Sequence, residues 1–262
     1  MRKTSALPST STVKPFLVRK LIAYPFSVVY YFFFSSALLI FHPLQVIALR
    51  LGGWPVQKAV VDFLNFLLLR CLNLLGNRVK VHFEAKDFPQ DRTLIFASNH
   101  QSTYDIPPLI WYLRRYSPRF VAKKELGKGL PSISFHLREG GNVLIDRKDP
   151  VGSLEAIAKF AQRVYEKRWS VIIFPEGTRT RNGQPKKFQR GGLTTLLQQL
   201  PDALLVPISI SHSWKLAQWN YFPMPVGVQL EVRIQKPIDP REFTQEEALD
   251  LLEEAVKKEI RN

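Results

Sequence analysis

Thr93-Leu94-Ile95-Phe96-Ala97-Ser98-Asn99-His100-Gln101-Ser102-Thr103-Tyr104-Asp105 runs from an unbroken apolar stretch directly into a polar string. An apolar run without polar alternation marks a strand covered on both faces, and such strands belong to parallel sheets. Residues 171–174 and 204–210 repeat the pattern, and further strand signals fall at 79–84, 120–122, 142–145 and 228–234. Helical patterns lie between them, near 104–113, 150–167, 192–199 and 244–260. This alternation predicts an α/β domain over residues 77–262, a mostly parallel sheet flanked by helices.

Upstream the composition changes. From Leu21 to Leu49 there is no Lys, Arg, Asp or Glu, and the run contains Tyr30-Tyr31-Phe32-Phe33-Phe34. About 20 apolar residues suffice to span a bilayer. The run is too long for a cleavable signal and no small-residue cleavage site follows it. After Gly52-Gly53-Trp54-Pro55 a second helix is expected. On a helical wheel Lys58, Asp62, Asn65, Arg70 and Asn73 share one face, and Val56, Val60, Phe63, Leu64, Leu67, Cys71 and Leu74 the other. Basic residues flank the apolar run on both sides: Arg2, Lys3, Lys14, Arg19 and Lys20 before it, Arg50, Lys58, Arg70, Arg78 and Lys80 after it. The positive-inside bias draws both flanks to the cytoplasmic side. The expectation is a flexible basic N-terminus (1–20) and a membrane-associated helical hairpin (21–76), with the protein on the cytoplasmic face of the cell membrane.

His100 follows the apolar run of the quoted stretch, where ligands gather in open α/β sheets, past the carboxyl end of a strand. A neutral imidazole accepts a proton near pH 7, and a carboxylate on its other nitrogen fixes the tautomer. Asp105 is five positions on, so the pair meets only if the first helical turn is irregular. Spacing alone is weak evidence, because His82 and Asp87 share it on a polar-alternating strand. Phe174-Pro175-Glu176-Gly177-Thr178-Arg179-Thr180 adds the second half of a site. A buried strand leads into a reversal where glycine lets a ligand approach and arginine offers a fork for phosphate oxygens. Gly141-Asn142-Val143-Leu144-Ile145-Asp146-Arg147 places another arginine after a strand, and Leu205-Val206-Pro207-Ile208-Ser209-Ile210 is an apolar strand fit to wall a pocket. A proline there otherwise marks an edge strand.

These four strings, in this order, resemble the four blocks of the glycerolipid acyltransferases, and among them those of the bacterial 1-acylglycerol-3-phosphate acyltransferases. The resemblance runs from about Val79 to Ile210. It implies that His100 takes the proton from an acceptor hydroxyl attacking an acyl thioester, and that Asp105 orients His100. It implies that Glu176, Gly177, Thr178, Arg179 and Arg147 hold a phosphorylated glycerol, with Lys123 and Lys124 in a further family-like segment. Arg190 stands where relatives carry two basic residues before the glycine. Val206, Pro207 and Ile208 would wall the acyl or acceptor pocket. Attack would be direct, without an acyl-enzyme, a metal or a prosthetic group.

Bulk composition agrees with an anionic partner. The chain has 262 residues, 37 basic and 22 acidic, for a net charge of +15. Six basic residues lie between Arg114 and Lys128, and five between Arg179 and Arg190, beside the two motifs. The expected partners are membrane lipid, a lysophospholipid and acyl carrier protein or CoA as the thioester. Other acceptors (glycerol-3-phosphate, another lysophospholipid, a lyso-aminolipid) and a non-catalytic membrane-binding role stay open. Nucleic acid is disfavoured, because the aromatics cluster in the apolar N-terminus instead of interleaving with the basic patches. The lone Cys71 excludes an intramolecular disulfide and reads as a buried structural thiol.

Overall fold

The computed structural model describes residues 10–261, with side chains from residue 18 onward. Residues 1–9 of the expected flexible terminus lie outside the described residues, and the chain from Thr10 onward is helical.

Seven strands form one sheet: β1 (Arg78–Phe83), β2 (Leu94–Ser98), β3 (Pro118–Lys123), β4 (Val143–Ile145), β5 (Ser170–Ile173), β6 (Leu204–Ser211) and β7 (Gln229–Ile234). Their order is β1-β7-β6-β2-β5-β3-β4, and only the β6–β7 pair is antiparallel. The sheet is therefore mostly parallel, with β1 and β7 reversed at one edge. β2 sits between β5 and β6 with every residue buried. Its alternating side chains divide the interior in two. Leu94 and Phe96 join the core formed with α1 (Thr10–Asn73) and α2 (Ile106–Tyr112). Ile95 and Ala97 join the core under α4 (Pro150–Lys167), α5 (Gly191–Gln199) and α6 (Gln245–Lys258). That two-sided burial is why these strands read as continuous apolar runs.

Pro207 lies in β6, which is a central strand and not an edge. Its carbonyl accepts from the Gln235 amide at 3.0 Å, and the regular ladder to β7 runs between Ile208–Ser211 and Glu231–Ile234. The missing N–H therefore falls just outside the regular ladder, at a position paired on that side through its carbonyl alone. One short helix, α3 (Ile133–Glu139), has no counterpart among the sequence-based expectations.

α1 is broken at Gly53, whose φ of 64° and ψ of −161° place it in a region essentially reserved for glycine. The chain turns back there. Leu38 and Phe41 of the first arm pack on Leu64 and Leu68 of the second, and the Phe41 and Phe63 rings lie 5.9 Å apart. The second arm does not follow the simple wheel. Asn65 is buried against the protein while Val56, Phe63 and Leu74 are exposed. The inner face is otherwise apolar, with Val61, Leu64, Leu68 and Leu72 buried, and Asn65 borders a cavity there. From Val18 to Asn73 the helix is apolar and long enough to cross a membrane by length and composition. Its outward face exposes Leu21, Phe26, Phe32, Phe33, Ile40 and Leu51. A contiguous apolar surface of this kind marks a binding face.

Candidate active site

The five strands that run the same way, β2 to β6, deliver the site from their carboxyl ends. The chain leaves β2 through Asn99, whose amide clasps Ile210 of β6 through both its N–H and C=O at 2.8 and 2.7 Å, and then reaches His100. Residues Thr103–Asp105 form a single 3-10 turn capped by Ser102, whose Oγ accepts the Tyr104 N–H at 3.0 Å. This tight turn, unlike an α-helical one, folds Asp105 back beneath His100. Asp105 Oδ2 lies 2.7 Å from His100 Nδ1 and also accepts the amides of Gln101 (2.7 Å) and Ser102 (3.0 Å). Its Oδ1 accepts from the Ser213 hydroxyl, which in turn contacts Ser102.

Asp105 is wholly buried and ringed by donors. The network therefore assigns the proton on Nδ1 to the hydrogen bond with Asp105 and leaves the lone pair on Nε2. The His100 ring stacks on Phe174, with centroids 4.2 Å apart, and lines a cavity of about 800 Å³. An imidazole held in this way is set to accept a proton from a group in the cavity. The hydroxyls of Ser102 and Ser213 are both tied into the carboxylate network, and Cys71 is buried in α1.

The remaining sequence candidates separate into three groups. Lys123, Arg147 and Gly177 line the cavity with His100. Arg179 stands beside them and donates to the Tyr221 hydroxyl at 3.0 Å. Arg147 and Arg179 form no ion pair among the described residues; burial holds the Arg147 guanidinium below its ordinary pKa, opposed by attraction to Glu125 and reinforced by repulsion from Arg179. Two neighbouring guanidiniums, neither locked in an ion pair, can receive an anion. Lys123 is instead paired with Glu125 at 3.1 Å.

Glu176 differs from expectation in its placement. It is buried outside the cavity lining, under the loop whose Thr180 amide bonds the His100 carbonyl at 2.8 Å. The His100 and Lys186 amides are near its carboxyl, but neither oxygen completes a hydrogen bond. Burial pushes its pKa up to about 7.

The third group is elsewhere. Lys124 is exposed and 4.0 Å from Asp146, and Thr178 is exposed. Arg190 is bound to Asp250 of α6, with Glu253 at 3.8 Å. Val206, Pro207 and Ile208 are buried in β6 and do not line the cavity. Its walls come from α1, α2, α3, α4, α5, β3, β4 and β5, and include Leu38, Leu64, Ile110, Phe120 and Ile173. The Arg114–Lys128 run is not one basic patch either. Arg119 is buried against the Trp169 ring, and Arg115 is bound to Asp87. Ser213 and Tyr221 carry no sequence signal, since each reaches the site only through the fold.

The acyltransferase family model matches residues 78–211, just over half of the chain. This chain belongs to the acyltransferase family. The acyltransferase is 32% identical over 162 residues to a 1-acyl-sn-glycerol-3-phosphate acyltransferase of Cocos nucifera, covering 60% of this chain and 49% of that one. It is 30% identical over 138 residues to the Pseudomonas aeruginosa protein of the same name, covering 53% and 52%. The match thus spans about half the length of each relative. Its fold is similar to that of the crystal structure of the 1-acyl-sn-glycerophosphate acyltransferase PlsC from Thermotoga maritima. The TM-score is 0.72 at 23% identity, over 92% of this chain and 95% of that one.

Proposed function

We propose that this acyltransferase moves a fatty acyl group from a thioester to the sn-2 hydroxyl of lysophosphatidic acid, giving phosphatidic acid. The observation that carries the proposal is the His100–Asp105 pair, set between an apolar cavity and the unpaired guanidiniums of Arg147 and Arg179. The names borne by the relatives point to the same acceptor.

In this reading the acyl chain occupies the cavity and the two arginines hold the phosphate monoester. That places the glycerol hydroxyl at His100 Nε2. Nε2 takes the hydroxyl proton as the oxygen attacks the thioester carbonyl. The tetrahedral intermediate collapses by breaking the C–S bond, and the leaving thiolate recovers the proton from the imidazolium. Asp105 stabilises that imidazolium and keeps the ring in place. The Ser213 hydroxyl donates to Asp105 and the Ser102 hydroxyl is held by Ser213 and the Tyr104 amide, so neither is assigned as a nucleophile in this reading and the transfer is taken as direct, with no acyl-enzyme.

The outward apolar face of α1 supports a membrane-seated enzyme, with both basic flanks on the cytoplasmic side. Acyl carrier protein and acyl-CoA both remain donors in this proposal. The test is thiol release from each donor with lysophosphatidic acid, glycerol-3-phosphate, another lysophospholipid or a lyso-aminolipid. Release that depends on lysophosphatidic acid supports the reading; a stronger response to any other acceptor replaces that substrate.

A further inference from the structure

The apolar cavity contains a feature for which a plain alkyl chain has no use. Along the first arm of α1, away from His100, its wall passes from Tyr31, Phe34 and Leu38 to Gln45. Tyr31 and Gln45 are fourteen residues apart, about 21 Å of helix, so Gln45 stands a long acyl chain's reach from the reacting end. It is wholly buried, and both its Oε1 and its Nε2 lack a hydrogen-bond partner.

Further polar side chains line the cavity on this side: Asn65 from the second arm, His136 from α3, and Ser132, whose hydroxyl is spent on the Leu38 carbonyl at 2.8 Å. Asn65 uses its amide nitrogen on the Val61 carbonyl at 2.8 Å. Burial, aided by the cations of Arg119 and Lys58, pushes His136 down to about 3, so its imidazole is neutral.

An unpaired amide inside a protein is costly, and a leucine at position 45 would avoid that cost. A bound group that brings both a donor and an acceptor removes it. An alcohol has both and is uncharged, which suits the neutral glutamine, asparagine and imidazole around it. A carboxylate, which only accepts, would leave the Gln45 carbonyl unmatched.

We propose that the part of the cavity nearest the α1 reversal is a hydroxyl-binding subsite, in which the Gln45 amide recognises acyl chains hydroxylated near the ω end. The inference rests on the acyltransferase reading above and adds a specificity to it. A site built to hydrogen-bond a substrate hydroxyl discriminates by leaving its own polar groups unpaired when that hydroxyl is absent.

The experiment is a competition assay with lysophosphatidic acid as acceptor. It compares an unsubstituted saturated long-chain thioester with its ω-hydroxy and its 3-hydroxy analogues, for wild type and Gln45→Leu. The wild-type enzyme should use the ω-hydroxy chain at least as well as the unsubstituted one. Gln45→Leu should lower that ratio roughly tenfold or more, while the 3-hydroxy ratio, which reports on the other end of the chain, stays put. Rejection of the ω-hydroxy chain by wild type, as a purely apolar or water-sealed end would produce, overturns the subsite without need of the variant. An ω-hydroxy ratio indifferent to Gln45→Leu overturns it as well. Absence of transfer from all three thioesters contradicts the acyltransferase reading instead, so the two failures are distinct.

Discussion

Asp105 is where most of the site's order is concentrated: one buried carboxylate takes hydrogen bonds from the His100 ring, two backbone amides and Ser213. Removing one hydrogen bond to such a carboxylate costs about 1.5–3 kcal/mol. Expressed in the orientation of His100, that predicts a roughly tenfold to hundredfold lower kcat for Ser213→Ala, with the acceptor KM unchanged. An unaltered kcat would detach Ser213 from catalysis. Arg179→Ala should act in the opposite way, raising the KM for the lysolipid more than it lowers kcat; an unchanged KM would remove Arg179 from the phosphate site. Glu176 yields a prediction about pH. Its folded-state pKa of about 7 lies above the ordinary glutamate value, so the native state binds the extra proton. The stability it contributes is complete below about pH 4.5 and is lost as pH rises through 7. Glu176→Gln should flatten Tm across that interval, and an identical pH profile would show the carboxyl to be ionised throughout. His100 and Asp105 were legible as neighbours in a motif, but their 2.7 Å contact depends on a 3-10 turn that spacing does not disclose. Ser213, 108 positions from Asp105, was not legible, because only β6 brings it back.

At the scale of elements, the strands were legible because burial on both faces writes an apolar run into the sequence. β2, β5 and β6 are the clearest cases, each buried at every residue. α3 escaped notice because seven residues give too little periodicity to register. The faces of the second α1 arm were misassigned for a more instructive reason. Asn65 turns inward to the cavity and Phe63 outward, while Val61, Leu64 and Leu68 keep the rest of the inner face apolar, so a simple wheel misplaces single positions. The chain reversal itself depends on Gly53. Gly53→Val should destabilise the fold by about 1–3 kcal/mol, because its backbone angles are barred to branched residues. A thermal unfolding comparison measures this, and an unchanged Tm would mean the reversal tolerates side chains. Single cysteines introduced into the two basic flanks of α1, in a Cys71→Ser background, should both resist labelling from outside intact cells. Labelling of either flank would replace the hairpin by a full crossing.

For the whole molecule, the net charge of +15 and the exposed apolar face of α1 both favour an anionic membrane. Electrostatic attraction to anionic lipid is screened over about 10 Å at 0.1 M salt, whereas apolar insertion is not. Binding to anionic vesicles should therefore weaken with added salt without vanishing. Seated this way, the enzyme would take its lysolipid from the membrane and its thioester from solution, with His100 between them. The decisive measurement is acceptor-dependent thiol release, with lysophosphatidic acid, by membranes carrying wild type or His100→Ala at equal abundance. Loss of a general base predicts a decrease of about 10²–10⁴-fold with membrane binding intact. Release that proceeds at the wild-type rate in His100→Ala, or without any acceptor, would contradict direct transfer driven by this histidine.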